Sequence, residues 1–212
     1  MANYHPADEL LMQFAAGQLT NALGVMVACH LESCPHCAHQ VKVYNHLGGE
    51  LLAEQSEAPV SAELLEHAWA KAQAPETPNP FANEGDARVP RPLRRFVPGY
   101  YDDVPWGGFS KSIQQWDLPI SDSQYTARFY KIAAGKELPE HTHKGNEFTL
   151  VMTGSFSDKS GDYHAGDFIL ADEQTRHQPR AHMSEDCICF AVMDAPLKLT
   201  GFFGRMLNPF LR

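Results

Sequence analysis

The run that most constrains the fold is GKELPEHTHKGNEFTLVMTG, residues 135–154. His141 and His143 stand two apart, so on a β-strand both project from one face and can reach one point together. The short turn Lys-Gly-Asn then lets Glu147 re-enter the same interior on the next strand. Two imidazoles and a carboxylate suit a borderline divalent metal, and His177, about a strand pair further on, completes the set. A polar loop with exposed histidines fits the composition equally well; the spacing is what separates the two readings.

That spacing resembles the first cupin motif, G-x5-H-x-H-x3-E-x6-G, at every fixed position: Gly135, His141, His143, Glu147 and Gly154. The second motif is partly present. Aligned from Gly166, its Pro falls on Asp172, its Gly on Gln174 and its final Asn on Ala181, while the metal histidine falls on His177. The resemblance implies a metal-binding, all-β cupin barrel (a double-stranded β-helix).

The chain has 212 residues, room for one large or two small domains. A formal net charge of −9 argues against nucleic acid as a direct partner, because neutralising phosphates needs a Lys/Arg surplus. Residues 1–73 hold eight acidic side chains against Lys42 and Lys71 alone, a surface fitted to a basic protein partner. No apolar run approaches the roughly 20 residues that span a bilayer. The opening MANYHPADELL lacks the basic and apolar regions of a signal peptide. Five cysteines, two in Cys-x-x-Cys spacing, point to a reduced compartment. The expected location is the cytoplasm, away from membranes.

Along the chain, residues 7–16 place Leu10, Leu11, Phe14 and Ala15 at helical spacing. Thr20 caps a second helix through LGVMVACHLE, and a third runs from Ser33 or Pro35 to a stop at Gly48–Gly49. Ser61 opens a fourth, with Leu65, Ala68, Trp69 and Ala72 as its apolar stripe. Four short helices make an all-α unit with a thin core, which needs a staple, a metal or a partner. Residues 76–95 are Pro-rich and aperiodic, a semi-rigid linker. From 96 to 212 short β-rich runs alternate with turns: SIQQW, YTARFYKI, EFTLVM, DFILA and CICFAVM. The closing PLKLTGFFGRMLNPFLR is expected to pack back on the barrel. The predicted organisation is a helical domain over 1–75, a linker over 76–95 and a cupin domain over 96–212.

The helical part carries its own metal signature, His30-x3-Cys34-x2-Cys37. With a helix starting near Ser33, the two cysteines lie one turn apart, and three such ligands plus a fourth make a closed zinc site. His5 is the preferred fourth; His36, His39 and Cys29 compete. A thioredoxin-like redox pair would need a βαβ context that the pattern lacks.

A small acidic four-helix head with H-x3-C-x2-C and a preceding distant His resembles the zinc-binding anti-sigma domain. Joined to a C-terminal cupin, it resembles the ChrR-type anti-sigma factors over almost the whole chain. The matching positions are His5, His30, Cys34 and Cys37 in the head, and His141, His143, Glu147 and His177 in the barrel. The resemblance implies two Zn2+ sites, a 1:1 complex of the head with an ECF-type sigma factor, and a cupin that senses singlet oxygen and related oxidants. The drifted second cupin motif touches loop geometry more than ligation. With His in place of Cys at the first head position, a simple disulfide switch within the head is disfavoured.

Cys187 and Cys189 face one side if their segment is a strand. They read either as small buried hydrophobes or as an oxidisable pair near the metal, poorly placed for an unstrained mutual disulfide. His164 and His182 read as surface histidines, and Trp69, Trp106 and Trp116 as core or interface residues. Two rival functions stand beside the regulator. One is a metal-dependent cupin dioxygenase or isomerase, which needs open coordination positions. The other, a metal-storage protein, leaves the acidic head unexplained.

Overall fold

Helix α2 (Asn21–Ser33) is apolar almost all the way round, and such a helix must be covered on more than one side. In the computed structural model, which describes residues 2–74, 85–195 and 198–199, four different elements cover it. Helices α1 (Asp8–Ala15) and α3 (Pro35–Ala53) pack on it, as do a 3-10 turn at Arg91–Leu93 and a long strand of the C-terminal half. Leu23, Met26 and Val27 therefore belong to the same buried cluster as Phe129, Phe190 and Val192. Helix and sheet share one core.

The strands are β1 (Gly107–Ser110), β2 (Ile113–Asp117), β3 (Thr126–Ile132), β4 (His141–Thr142), β5 (Glu147–Thr153) and β6 (Ser155–Ser157). They continue with β7 (Asp162–His164), β8 (Phe168–Ala171), β9 (Arg176–His177), β10 (Arg180–Ala181), β11 (Cys187–Met193) and β12 (Lys198–Leu199). One six-stranded antiparallel sheet runs β1-β2-β3-β11-β5-β8; two small sheets run β10-β6-β7 and β12-β4-β9. All five apolar runs singled out above lie in the large sheet. β11, buried at every position between β3 and β5, shows why CICFAVM has no polar alternation. Tyr130, Glu147 and Cys189 of the large sheet and His141, Phe156 and His177 of the small ones face one cavity, so the sheets close into a barrel. Phe129 is its aromatic hub, with Tyr101, Trp106, Trp116 and Phe190 at ring distances of 5.7–6.3 Å.

Four helices form where the periodicity places them, and several details differ from the sequence expectation. α3 runs through Gly48–Gly49 to Ala53. Neither glycine adopts positive φ, and a Cβ on either would meet nothing, so the pair neither caps nor packs. The apolar stripe of α4 (Ala62–Gln73) is not a core stripe: no residue of α4 is buried, and Trp69 is 66% exposed. The described part of the predicted linker, residues 85–95, is packed rather than free, with Val89 and Leu93 fully buried in the shared core. Residues 75–84 and the greater part of the closing segment lie outside the described residues.

The barrel also caps the head. Thr20 offers no side-chain bond to the start of α2. Instead Asp122, in the β2–β3 loop, accepts the Ala22 N–H at 2.9 Å, and Asn21 donates to the Ser121 carbonyl at 2.9 Å. Burial pushes the Asp122 carboxyl up, but the amides of Ala22, Gln124 and Tyr125 outweigh it and hold the group below the ordinary carboxylate value. A depressed folded-state pKa adds stability that is fully present above the unfolded value, about 3.9, and is lost as pH falls through the folded one. Asp122→Asn should therefore destabilise the protein at pH 7, by about 1 kcal/mol for a lost charged cap. The gap to the parent in urea denaturation should close as pH falls below about 4.

Candidate metal centres at the seam and in the barrel

Cys34 ends α2 and caps α3: its sulfur accepts the Cys37 N–H at 3.5 Å, and Pro35 fills the first helical position. The two sulfurs thus sit one turn apart at a helix N-terminus, where the dipole favours negative charge. His5 Nδ1 lies 3.4 Å from each sulfur, and His30 Nε2 lies 3.3 Å from Cys37 Sγ. All four ligand atoms fall within 4.8 Å of one another. Tetrahedral zinc, at about 2.3 Å from sulfur and 2.0–2.1 Å from nitrogen, would set S and N roughly 3.6 Å apart. The group fits that ion. Of the competitors for the fourth place, His36 approaches the His5 ring at 5.4 Å but lies outside the group, as do His39 and Cys29.

His30 is fully buried, and burial pushes its pKa down, so the ring is neutral. Its Nδ1 is 2.8 Å from the Gly166 carbonyl of the barrel. A carbonyl only accepts, so Nδ1 carries the proton and Nε2 turns its lone pair toward Cys37. Burial and the neighbouring Cys34 push the Cys37 thiol up to about 12, so metal binding must displace a proton there.

In the barrel, β4 pairs with β9 so that His141 sits opposite His177. The Nε2 atoms of His141 and His143 lie 3.0 and 3.2 Å from His177 Nε2. His141 Nδ1 donates to the Pro139 carbonyl at 2.9 Å, and His177 Nδ1 to the Asp158 carboxylate at 2.8 Å. Both rings therefore aim lone pairs at each other. Burial pushes His141 down to about 4 and His143 to about 3, so neither is protonated near neutrality. Only a cation or a shared proton reconciles lone pairs at that distance, and tetrahedral zinc would space such nitrogens about 3.3 Å apart.

Glu147 stands beside this group rather than in it. The three histidines form the set within 4.8 Å, and Glu147 Oε2 is 3.6 Å from His143 Nδ1. Both of those atoms are buried and have no hydrogen-bond partner among the described residues, while Oε1 accepts from Thr149 at 3.1 Å. Burial pushes the Glu147 carboxyl up to about 7. The adjoining cavity is small, about 40 Å³, with Tyr130, Ile132, Leu138 and Phe156 in its walls. At about 10–15 Å³ per water it holds a few water molecules.

Cys187 and Cys189 are free, buried and 3.7 Å apart at sulfur, and Cys189 lines the same cavity. The bond to Cys187 and burial keep the Cys189 thiol well above its ordinary value, so it is not a poised thiolate. His182 bonds Ser155, and His164 is exposed. The turn before His177, which lacks the motif's Pro and Gly, is closed instead by the Asp172 carboxylate, which accepts from the Gln174 and Thr175 amides. Gly154 does keep its place: φ is +68°, and a Cβ would lie 2.6 Å from the Asp186 carbonyl. Sequence reasoning missed Asp158 and Gly166 as supports of His177 and His30. Asp158 has no spacing signature, and Gly166, although it opens the second cupin motif, meets His30 only through the fold.

The anti-sigma-E factor ChrR of Cereibacter sphaeroides is 35% identical over 210 residues, 99% of this chain and 98% of its own. This chain belongs to the ChrR family of anti-sigma factors. The ChrR Cupin-like domain matches residues 99–196. Rhodobacter sphaeroides SigE in complex with the anti-sigma ChrR superposes with a TM-score of 0.79 at 33% identity, covering 92% of this chain and all of that one. An RmlC-like cupin protein from Ralstonia eutropha is also similar, at 24% identity and a TM-score of 0.41, over 52% of this chain and 82% of its own.

The site geometry predicts a metal content of about two per chain, falling to about one in Cys37→Ser and in His177→Ala. Asp158→Asn should keep the full content but lose barrel metal to a chelator about 10–100-fold more readily. Elemental analysis and chelator competition check both.

Proposed function

We propose that this chain is an anti-sigma factor that sequesters an ECF-type sigma factor one-to-one through its helical head. It releases that factor in response to an oxidant, singlet oxygen among the candidates, sensed through the barrel. The observation that carries the reading is the apolar face the head leaves uncovered. Val43, Leu47 and Leu51 on α3 and Leu64, Leu65 and Trp69 on α4 are all about half exposed or more. Residues four apart share a helix face, so these are rows rather than scattered side chains. Rows of this kind dock helices of a partner, and the acidic surroundings select a basic one. The ChrR relative in complex with SigE supports the same partner class.

In this reading residues 1–75 are a zinc-binding head, 96–212 the sensor and 76–95 the connector. Zn2+ would be held by His5, His30, Cys34 and Cys37 in the head. In the barrel it would be held by His141, His143 and His177, with Glu147 within reach of a side-chain rotation. When bound, zinc supplies charge and fixed geometry but no redox chemistry. The barrel residues admit only a small reactant, and one that enters meets three imidazoles and the Cys189 thiol. The chain acts in the cytoplasm; among the described residues no helix is long and apolar enough to cross a membrane.

One observation favours a metal-dependent dioxygenase or isomerase: a buried Glu147, pushed up to about 7, has the character of a general base. The small cavity weighs against an organic substrate. Trp69→Ala and Leu65→Ala test the regulator reading. In titration calorimetry of the full chain with an ECF-type sigma factor, Trp69→Ala should cost about 2 kcal/mol of binding or more, roughly 30-fold, and Leu65→Ala somewhat less. Unchanged affinity in both variants would remove α4 from the interface.

A further inference from the structure

Two of the four ligands at the head site are supported from the barrel: His30, carried by α2, at its ring, and His5 through the residues before it. Between β7 and β8 the chain turns through Ala165–Asp167, with Gly166 at φ +96°. The Gly166 carbonyl takes the Nδ1 proton of His30 at 2.8 Å. Next to it, Asp167 is fully buried, and its carboxylate accepts three amides: those of Asn3 and Tyr4 at 2.5 and 3.1 Å, and that of His164 at 2.8 Å. The Phe168 N–H donates to the Tyr4 carbonyl at 3.0 Å, and the Tyr4 ring lies 4.8 Å from that of Tyr163. The residue that follows this strap is His5. The fit is close on the barrel side too, since a Cβ on Gly166 would come within 3.2 Å of Ser33 Oγ on α2. The two sulfurs, by contrast, take their positions from the start of α3.

We infer that the β7–β8 turn is the outer hydrogen-bonding support of the head's metal site, through the Gly166 carbonyl on His30 and the Asp167 carboxylate on the strap carrying His5. The barrel thereby sets how firmly the head holds its metal. The inference builds on the proposed metal-binding head and names its regulation. A ligand ring whose distal nitrogen loses its acceptor is free to rotate and becomes a weaker donor, and removing such supports costs about 10–100-fold in metal affinity. The turn is also knitted to the barrel interior: Gly166 N–H donates to the Val151 carbonyl at 2.8 Å, and Val151 N–H to the Asp167 carbonyl at 3.0 Å. Val151 lies on β5, the strand that begins at Glu147. A displacement of β5 would reach His30 and His5 through this turn.

The test uses the full zinc-loaded chain challenged with a chelator in the presence of iodoacetamide. Alkylation of Cys34 and Cys37, read by peptide mass spectrometry, reports metal loss at the head site alone. Asp167→Asn weakens the carboxylate clamp from the barrel side. Tyr4→Pro removes the Tyr4 N–H from the strap side and leaves the barrel sequence intact, so it carries the test if Asp167→Asn fails to fold. Met193→Leu, a barrel-core change in a buried cluster that holds neither the turn nor its packing partners, controls for general loosening. Alkylation at Cys34 and Cys37 should accelerate about 10-fold or more in the two clamp variants and stay near the parent rate in the control. Equal rates in parent and clamp variants, or equal acceleration in the control, would overturn the inference. Sigma-factor binding is measured on the same samples. If the parent holds zinc but binds no sigma factor, the functional reading fails, while the order of alkylation rates still decides the clamp.

Discussion

The burial of α2 on more than one side is the constraint from which the rest of the structure follows. A head of about 70 residues cannot bury enough surface to stand easily alone, and α2 solves this by lying between the other helices and the barrel. Once it lies there, its C-terminal end, with His30 and Cys34, is set against the barrel's β7–β8 turn. Its N-terminal end is set against Asp122. α3 packs on α2 and leaves its row of Val43, Leu47 and Leu51 outward, and α4 leaves its own row exposed. The surface proposed for the sigma factor is made of these two exposed rows.

Electrostatics then explains why both clusters call for a cation. In each, hydrogen-bond acceptors fix the distal ring nitrogen as the donor: Gly166 for His30, Pro139 for His141, Asp158 for His177. The inward nitrogens are left as lone pairs facing other lone pairs or sulfurs at 3.0–3.4 Å. Burial keeps His30, His141 and His143 from relieving this by protonation. The two sites differ in closure. The head group presents four donors to one point, as a structural zinc site does, whereas the barrel group presents three, with Glu147 held back and a small cavity alongside. That difference suits the roles proposed above, a head that stays folded and a barrel that responds.

Much of this was legible in the sequence because it is local. His141 and His143 at strand spacing, Cys34 and Cys37 one helical turn apart, and the apolar run of β11 carry their meaning within a few residues. What was not legible depends on long-range placement. The stripe of α4 looks the same whether it meets a core or a partner, and the helix periodicity could not say that it stays exposed. Val89 and Leu93 sit in a Pro-rich stretch without periodicity, so their burial against α2 was hidden behind a linker-like composition. Asp122, Asp158 and Asp167 each act on groups far away in the chain, and Glu147 is set apart from the histidines by a side-chain orientation no motif records.

The central claim is that a metal-held head binds one sigma factor through its outward apolar rows. The most direct test is size-exclusion chromatography with light scattering of the full chain and an ECF-type sigma factor, before and after metal removal. The account predicts a one-to-one complex with the zinc-loaded chain that dissociates when the head metal is chelated and reforms on adding zinc back. A complex that survives complete loss of zinc from Cys34 and Cys37, or a loaded chain that binds no sigma factor, would contradict it.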